Sequence, residues 1–275
     1  MVHVTRRTAL ASALAASAAA VVPLSDPAPA AAAEPRLARG QTVYVAGDST
    51  AGQKTERVRP EVGWGMALPW FLNARVGVAN HALSGRSSKS FIDEGHLDTI
   101  LARIQADDVL VIQFGHNDQK SQDPSLYTEP WSTYQEHLDR YITAARAAGA
   151  LPVLATSAER RRFTREGVAY TTHGDYPAAM QALGEARGVP VIDVHAQTLA
   201  LWQELGPEET KRYFLYTDDG RTDNTHFQAP GGSAIASMVV RGLVQHDVLH
   251  QGRVRRLDEP APASWFTYLP APEEG

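Results

Sequence analysis

The chain of 275 residues contains no cysteine. Disulfides, thiolate metal sites and a lipid-modified cysteine anchor are therefore excluded. It also lacks any long block of like charge, and its formal net charge is -5. That balance argues against nucleic acid as a partner and against a polybasic membrane-binding patch. There is no HExxH run or comparable ligand spacing, so no catalytic metal is expected. Internal repeats are missing too. The longest apolar stretch, Ala9 to Leu24, is alanine-rich and too short to make a convincing membrane span.

What that stretch does resemble is an export signal. Arg6 and Arg7 precede it, and Pro and Ala follow it as far as Ala33. The run Thr5-Arg6-Arg7-Thr8-Ala9-Leu10 points to twin-arginine export, with an ordinary secretory signal as the alternative. Residues 1–33 are read as this signal, residues 34–258 as the folded domain and residues 259–275 as a C-terminal tail. The tail is rich in proline and acidic at its end, with Trp265 and Phe266 available to pin part of it to the body. About 240 residues remain after the signal, enough to bury one substantial core without cross-links.

Short apolar runs recur through the domain: Thr42–Ala46, Arg75–Asn80, Asp108–Phe114, Leu151–Ala155 and Pro190–Asp193. None shows clean polar alternation, as expected of strands covered on both faces. Helical patterns lie between and after them. Trp131–Ala148 places Tyr134, Leu138, Tyr141, Ile142 and Ala145 on one stripe and stops at Gly149. Tyr176–Ala186 stops at Gly188, and Pro230–Leu249 is the last long helix. Strands alternating with helices predict an α/β fold, a doubly wound, flavodoxin-like five-stranded parallel sheet with helices on both faces. In such sheets, function gathers at the carboxyl ends of the strands.

Ser49 follows the first strand, Gly85 the second and Asn117 the third. A serine hydroxyl is a weak nucleophile and needs a base, which in turn needs an orienting group. Asp223 and His226, three apart in Asp223-Asn224-Thr225-His226-Phe227, can supply both from a helical turn or compact loop. Gly85 can turn a backbone N–H inward, and the Asn117 amide is a neutral donor for a developing oxyanion, as is the N–H of Ser49. Singly, each has a plainer reading: a helix-capping serine, a turn glycine, a turn asparagine. Together they predict one site. His116 either supports its turn or lines the pocket. Arg160-Arg161-Arg162 reads first as a solvated, salt-bridged loop. The sharper expectation is that Arg161 and Arg162, with Arg86 or Lys89, bind carboxylates of an acidic polymer. Trp64, Trp70 and Trp131 are core residues or sugar-stacking platforms.

The segments Gly47-Asp48-Ser49, Gly85, Gly115-His116-Asn117-Asp118 and Asp223-x-x-His226 together resemble the ordered motifs of the SGNH (GDSL-type) hydrolases. The likeness runs from about Gln41 to about Leu249, nearly the whole domain. A closer resemblance is to rhamnogalacturonan acetylesterases. It is carried by Val45–Thr50, Gly63-Trp64-Gly65, Asn80-His81-Ala82, Gly85–Ser88, Ser90-Phe91-Ile92, Gln113–Asp118 and Asp223–Phe227. Thr50 departs from the Leu of the plain Gly-Asp-Ser-Leu pattern and agrees with that branch. The resemblance implies a three-layer α/β/α fold and a secreted enzyme without a cofactor that hydrolyses O-acetyl esters on a pectic polysaccharide. It implies Ser49 as nucleophile, Asp223 and His226 as its partners, and Ser49, Gly85 and Asn117 as the oxyanion hole. A monomer without a stable membrane anchor is expected. An acetylxylan esterase, a lipase or thioesterase of the same fold, and a non-catalytic carbohydrate-binding protein are the competing readings; fold alone does not choose among them.

Overall fold

The computed structural model describes Met1 and residues 40–271. The expected export signal, apart from Met1, lies outside the described residues. In chain order the first half comprises β1 (Gln41–Gly47), α1 (Trp64–Phe71), β2 (Val76–Asn80), α2 (Ser88–Asp93), α3 (His96–Leu101) and β3 (Val109–Gln113). The second comprises α4 (Gln135–Ala147), β4 (Leu151–Ala155), α5 (Tyr176–Arg187), β5 (Val191–Ile192), α6 (Val194–Glu209), β6 (Phe214–Tyr216), β7 (Thr222–Phe227) and α7 (Ala229–Gln245). The five strands β2-β1-β3-β4-β5 form one parallel sheet in that order, the flavodoxin-like arrangement.

The continuous apolar runs resolve into two alternating sets. Val43, Val45, Val109, Val111, Val153 and Ala155 face one layer, where they meet α1, Trp202 of α6 and the buried stripe Ile235–Ala236–Val239–Val240–Leu243 of α7. Tyr44, Ala46, Leu110, Ile112 and Leu154 face the other, against Phe91, Ile100, Leu138, Tyr141, Ile142 and Met180 of α2–α5. Each large side chain so buried contributes roughly 1.5–3 kcal/mol, and both faces of every central strand are used. That is why the strands show no polar alternation.

The helix expected over Trp131–Ala148 opens as a π turn at Pro130–Tyr134 before the α-helix proper, and its stripe is buried as expected. The last helix ends at Gln245, four residues earlier than the sequence pattern indicates, because the N–H groups of Val248 and Leu249 fold back onto the Leu243 carbonyl. The C-terminal stretch is docked as far as Leu269. Ala261 and Phe266 are buried, Trp265 packs edge-on against Trp70, and Leu269 makes a parallel bridge with Thr55. Residues 40–271 belong to one compact unit, with no structural break at 258. Among the described residues, no helix is long and apolar enough to cross a membrane.

Candidate active site

At the end of β1 the chain turns sharply around Asp48, a fully buried carboxylate. One oxygen accepts from the Thr50 N–H at 2.9 Å and the Thr50 hydroxyl at 2.7 Å. The other accepts from Gln113 Nε2 at 3.2 Å and faces His116 Nδ1, also at 3.2 Å. Burial by itself would raise the Asp48 pKa; the charge and hydrogen bond of His116, with the bonds from Thr50, hold it well below the carboxylate range. The start of α1 closes the turn from the other side, Trp64 N–H donating to the Thr50 carbonyl and Gly65 N–H to that of Ala51. Glycine is required at position 63, because a Cβ there would sit 2.0 Å from the Gly52 carbonyl oxygen. Ser49 is left half-buried at the tip of this turn.

Asp223 and His226 reach Ser49 from a strand, not from a helical turn or plain loop. They lie on β7, which pairs antiparallel with β6. Phe214 pairs with Phe227 and Leu215 with Asp223, so the three residues Asn224, Thr225 and His226 bulge out of the ladder. The bulge is why residues three apart on a strand share one side. Within it, Asp223 Oδ1 accepts from the N–H groups of Thr225 (2.6 Å) and His226 (3.1 Å). Asp223 Oδ2 lies 2.7 Å from His226 Nδ1, and His226 Nε2 lies 2.9 Å from Ser49 Oγ. Burial raises the Asp223 pKa, but the hydrogen bond and charge of His226 and the two N–H donors outweigh it and bring it to about 2. For His226, burial lowers the pKa, yet the Asp223 hydrogen bond and the charges of Glu61 and Asp223 leave it raised, with Lys54 opposing.

Gly85 and Asn117 meet beside the same strand ends. Gly85 has φ +80°, the left-handed region that favours glycine. Asn117 Nδ2 donates to the carbonyl of the next residue, Arg86, at 2.9 Å. Asp118 secures the junction: its buried carboxylate accepts from the Ser88 N–H (3.0 Å), the Ser88 hydroxyl (2.5 Å) and the Thr128 hydroxyl (3.0 Å). Burial pushes its pKa up to about 7 against those hydrogen bonds, with the charge of Asp48 adding to the rise.

The arginines divide. Arg161 is committed within the fold: its guanidinium donates to Tyr216 Oη and Asn224 Oδ1, both at 3.1 Å, and to the Pro207 carbonyl. Its backbone N–H also holds the Asn224 carbonyl at 2.8 Å, so Arg161 supports the bulge that carries His226. Arg86 pairs with Glu94 at 2.8 Å, and Lys89 donates to the Pro124 carbonyl. Arg162 is exposed and makes no ion pair among the described residues. Trp64 is core, while Trp131 is half exposed with its indole N–H on Asp175. No group of three or more His, Asp or Glu side chains among the described residues is disposed to hold a metal ion.

Sequence reasoning missed Lys54 and Glu61. They form a 2.5 Å ion pair beneath the site, and Lys54 Nζ also donates to the Ser49 carbonyl at 2.6 Å. No spacing signals them. The buried Asp48–His116 pair was half visible, since both residues flank predicted site positions.

A five-stranded parallel sheet between two helical layers, with a serine after β1 and a histidine bulge before the last helix, is the fold of the SGNH hydrolases. The family model described as GDSL-like Lipase/Acylhydrolase matches residues 45–233, and the chain belongs to that family. It is a carboxylic ester hydrolase. It is 42% identical over 209 residues to rhamnogalacturonan acetylesterase RhgT of Bacillus subtilis, covering 73% of this chain and 88% of that protein. A second Bacillus subtilis protein, YesY, named a probable rhamnogalacturonan acetylesterase, is 38% identical over 201 residues, covering 73% of this chain and 91% of that one. Among solved structures, Bacillus subtilis YxiM superposes with a TM-score of 0.67 at 28% identity, covering 76% of this chain and 57% of that longer chain.

Proposed function

We propose that this enzyme is an exported serine esterase that removes O-acetyl groups from rhamnogalacturonan through an acetyl-enzyme intermediate. The observation that carries the reading is the unbroken relay from Asp223 through His226 to Ser49, at 2.7 and 2.9 Å. Asp223 holds the proton on Nδ1, leaving Nε2 to accept the Ser49 proton as Oγ attacks the acetyl carbonyl. The oxyanion rests on the N–H groups of Ser49 and Gly85 and on the Asn117 amide, which spends one N–H on Arg86 and keeps a second. His226 then protonates the departing sugar hydroxyl, and a water that it activates releases acetate.

Support for rhamnogalacturonan comes from the two Bacillus relatives, whose lengths are covered to 88% and 91% by the match with this chain. One feature of this chain supports an acidic polysaccharide as substrate. Of Arg86, Arg161 and Arg162, the last is the one whose charge is left to meet a substrate carboxylate.

The test is acetate release from acetylated rhamnogalacturonan, acetylated homogalacturonan, acetylxylan and an aryl acetate, with Ser49→Ala alongside. Ser49-dependent release that is fastest on rhamnogalacturonan is expected. Release from xylan or the aryl ester only would discard the pectic substrate. Retention in the cell when Arg6 and Arg7 are both replaced by Lys is expected for twin-arginine export.

A further inference from the structure

Residues 54–62 cross from the nucleophile loop to the histidine strand, and both ends of that crossing are fixed. At one end Lys54, 3% exposed, donates to the Ser49 carbonyl at 2.6 Å. At the other, Val62 bridges Phe227, its N–H on the Phe227 carbonyl at 2.7 Å, which sets Glu61 beside the residue after His226. The Lys54–Glu61 ion pair, 2.5 Å long, closes the crossing. The segment is also clamped from outside. Leu269 N–H donates to the Lys54 carbonyl and the Leu269 carbonyl accepts from Glu56 N–H, both at 2.9 Å. Gln53 donates to the Thr267 carbonyl at 2.8 Å, and Arg221, at the foot of β7, donates to the Arg59 carbonyl at 2.6 Å.

An ion pair taken out of water is a weak source of stability, because desolvation offsets much of its attraction. Stability is therefore a poor reason for this pair to lie between Ser49 and His226. We propose that Lys54 and Glu61 are positioning residues for the esterase reaction: Lys54 holds the nucleophile's backbone through the Ser49 carbonyl, and Glu61 couples that hold to the histidine strand. The inference rests on the serine-esterase reading above. The charged groups facing His226 are Asp223 on its own strand and Glu61 and Lys54 on the crossing segment. Arg160, after β4, faces Asp223 in turn. Glu61 favours the imidazolium and Lys54 disfavours it. Removing one or the other therefore moves the titration of His226 in opposite directions.

The experiment is a pH profile of kcat/KM on an aryl acetate for the full-length wild type, Lys54→Met, Glu61→Gln and Ser49→Ala, with thermal melts of each. Lys54→Met should lower kcat about tenfold or more, as small displacements of a nucleophile do, with KM little changed. Its acid limb should move to higher pH by roughly half a unit or more, and that of Glu61→Gln to lower pH by a similar amount. Glu61→Gln is close to isosteric and keeps an acceptor for Lys54, so it serves if Lys54→Met fails to fold. Acid limbs that superimpose on wild type in every folded variant, with activity following only the melting temperature, would overturn the inference while an inactive Ser49→Ala left the serine mechanism standing. Activity surviving in Ser49→Ala would overturn the mechanism and this inference with it.

Discussion

On one side of the 2.9 Å contact between Ser49 and His226, Asp48, Thr50, Gln113, His116, Asn117 and Asp118 are all buried at the ends of the two central strands. On the other, Thr222 is exposed and residues 223–226 are half-buried, on a two-stranded hairpin with three residues bulged from its ladder. The Ser49 side inherits its rigidity from the sheet, and its polar groups, the His116 Nε2 atom apart, satisfy one another where water is excluded, so each is costly to lose. The histidine side is held by local N–H donors to Asp223 and by Arg161 and Tyr216 on Asn224. A hairpin of that kind opens more cheaply than the core strands. The contact between Ser49 and His226 therefore joins a densely buried part of the molecule to a half-buried, bulged one.

The largest effect should come from Asp48→Ala, which leaves buried His116 without its carboxylate partner. A loss of about 3–5 kcal/mol in urea unfolding is expected, as for other broken buried pairs. A loss below about 1 kcal/mol would put the two sides on a par and end the contrast. Asn117→Ala comes next. Its kcat should fall about a hundredfold, near 2.7 kcal/mol of transition-state stabilisation, in steady-state assays on an aryl acetate; an unchanged kcat would remove Asn117 from the oxyanion hole. Arg161→Met releases Asn224 within the bulge. Freeing the bulge should cost about tenfold in kcat/KM, near 1.4 kcal/mol, while the loss in urea unfolding stays well below that of Asp48→Ala. A stability loss as large as that of Asp48→Ala would show the hairpin to be as integral as the sheet.

The smallest effect is in the pH profile. In the proposed mechanism His226 must be neutral to accept the Ser49 proton, and its pKa is raised, so activity should fall on acidification from a pH above the ordinary imidazole value of 6.5. The stability linkage has the opposite sense. Asp223, lowered from 3.8 to about 2, stabilises the fold above 3.8 and loses that contribution as pH falls through about 2. Raised His226 contributes fully below 6.5 and loses its contribution as pH rises through its folded value. The pair thus stabilises the hairpin most between 3.8 and 6.5, where the histidine is mostly charged and, on the proposed mechanism, activity is low. An acid limb at or below 6.5 would contradict this arrangement.

Much of the sheet was legible because burial on both faces imposes a local signature. Val43-Tyr44-Val45-Ala46 and Val109–Ile112 read as strands, and the stripe from Tyr134 to Ala145 read as a helix. Ser49, Gly85 and Asn117 were visible from their places just after those strands. The strand carrying His226 was not. Thr222-Asp223-Asn224-Thr225-His226 is polar throughout, and the bulge removes the two-residue alternation by which a half-buried strand is known. Helix α6 was hidden by its non-helical Gly206 and by Pro207. The role of Arg161 was obscured because its partners Tyr216, Asn224 and Pro207 lie between 46 and 63 residues away in the chain.

The α/β class, the parallel sheet and the residue types at the strand ends are legible in the chain before folding, because hydrophobic periodicity is written residue by residue and needs no distant partner to be read. That Ser49 and His226, 177 positions apart, stand 2.9 Å from one another emerges from the folded chain alone. So too do the strand bulge that presents His226, the Lys54 ammonium on the Ser49 carbonyl, and the C-terminal stretch that clamps the segment carrying Lys54. Those are directional contacts between polar groups far apart in the chain. Their geometry follows from how the whole core packs and from nothing in the local pattern.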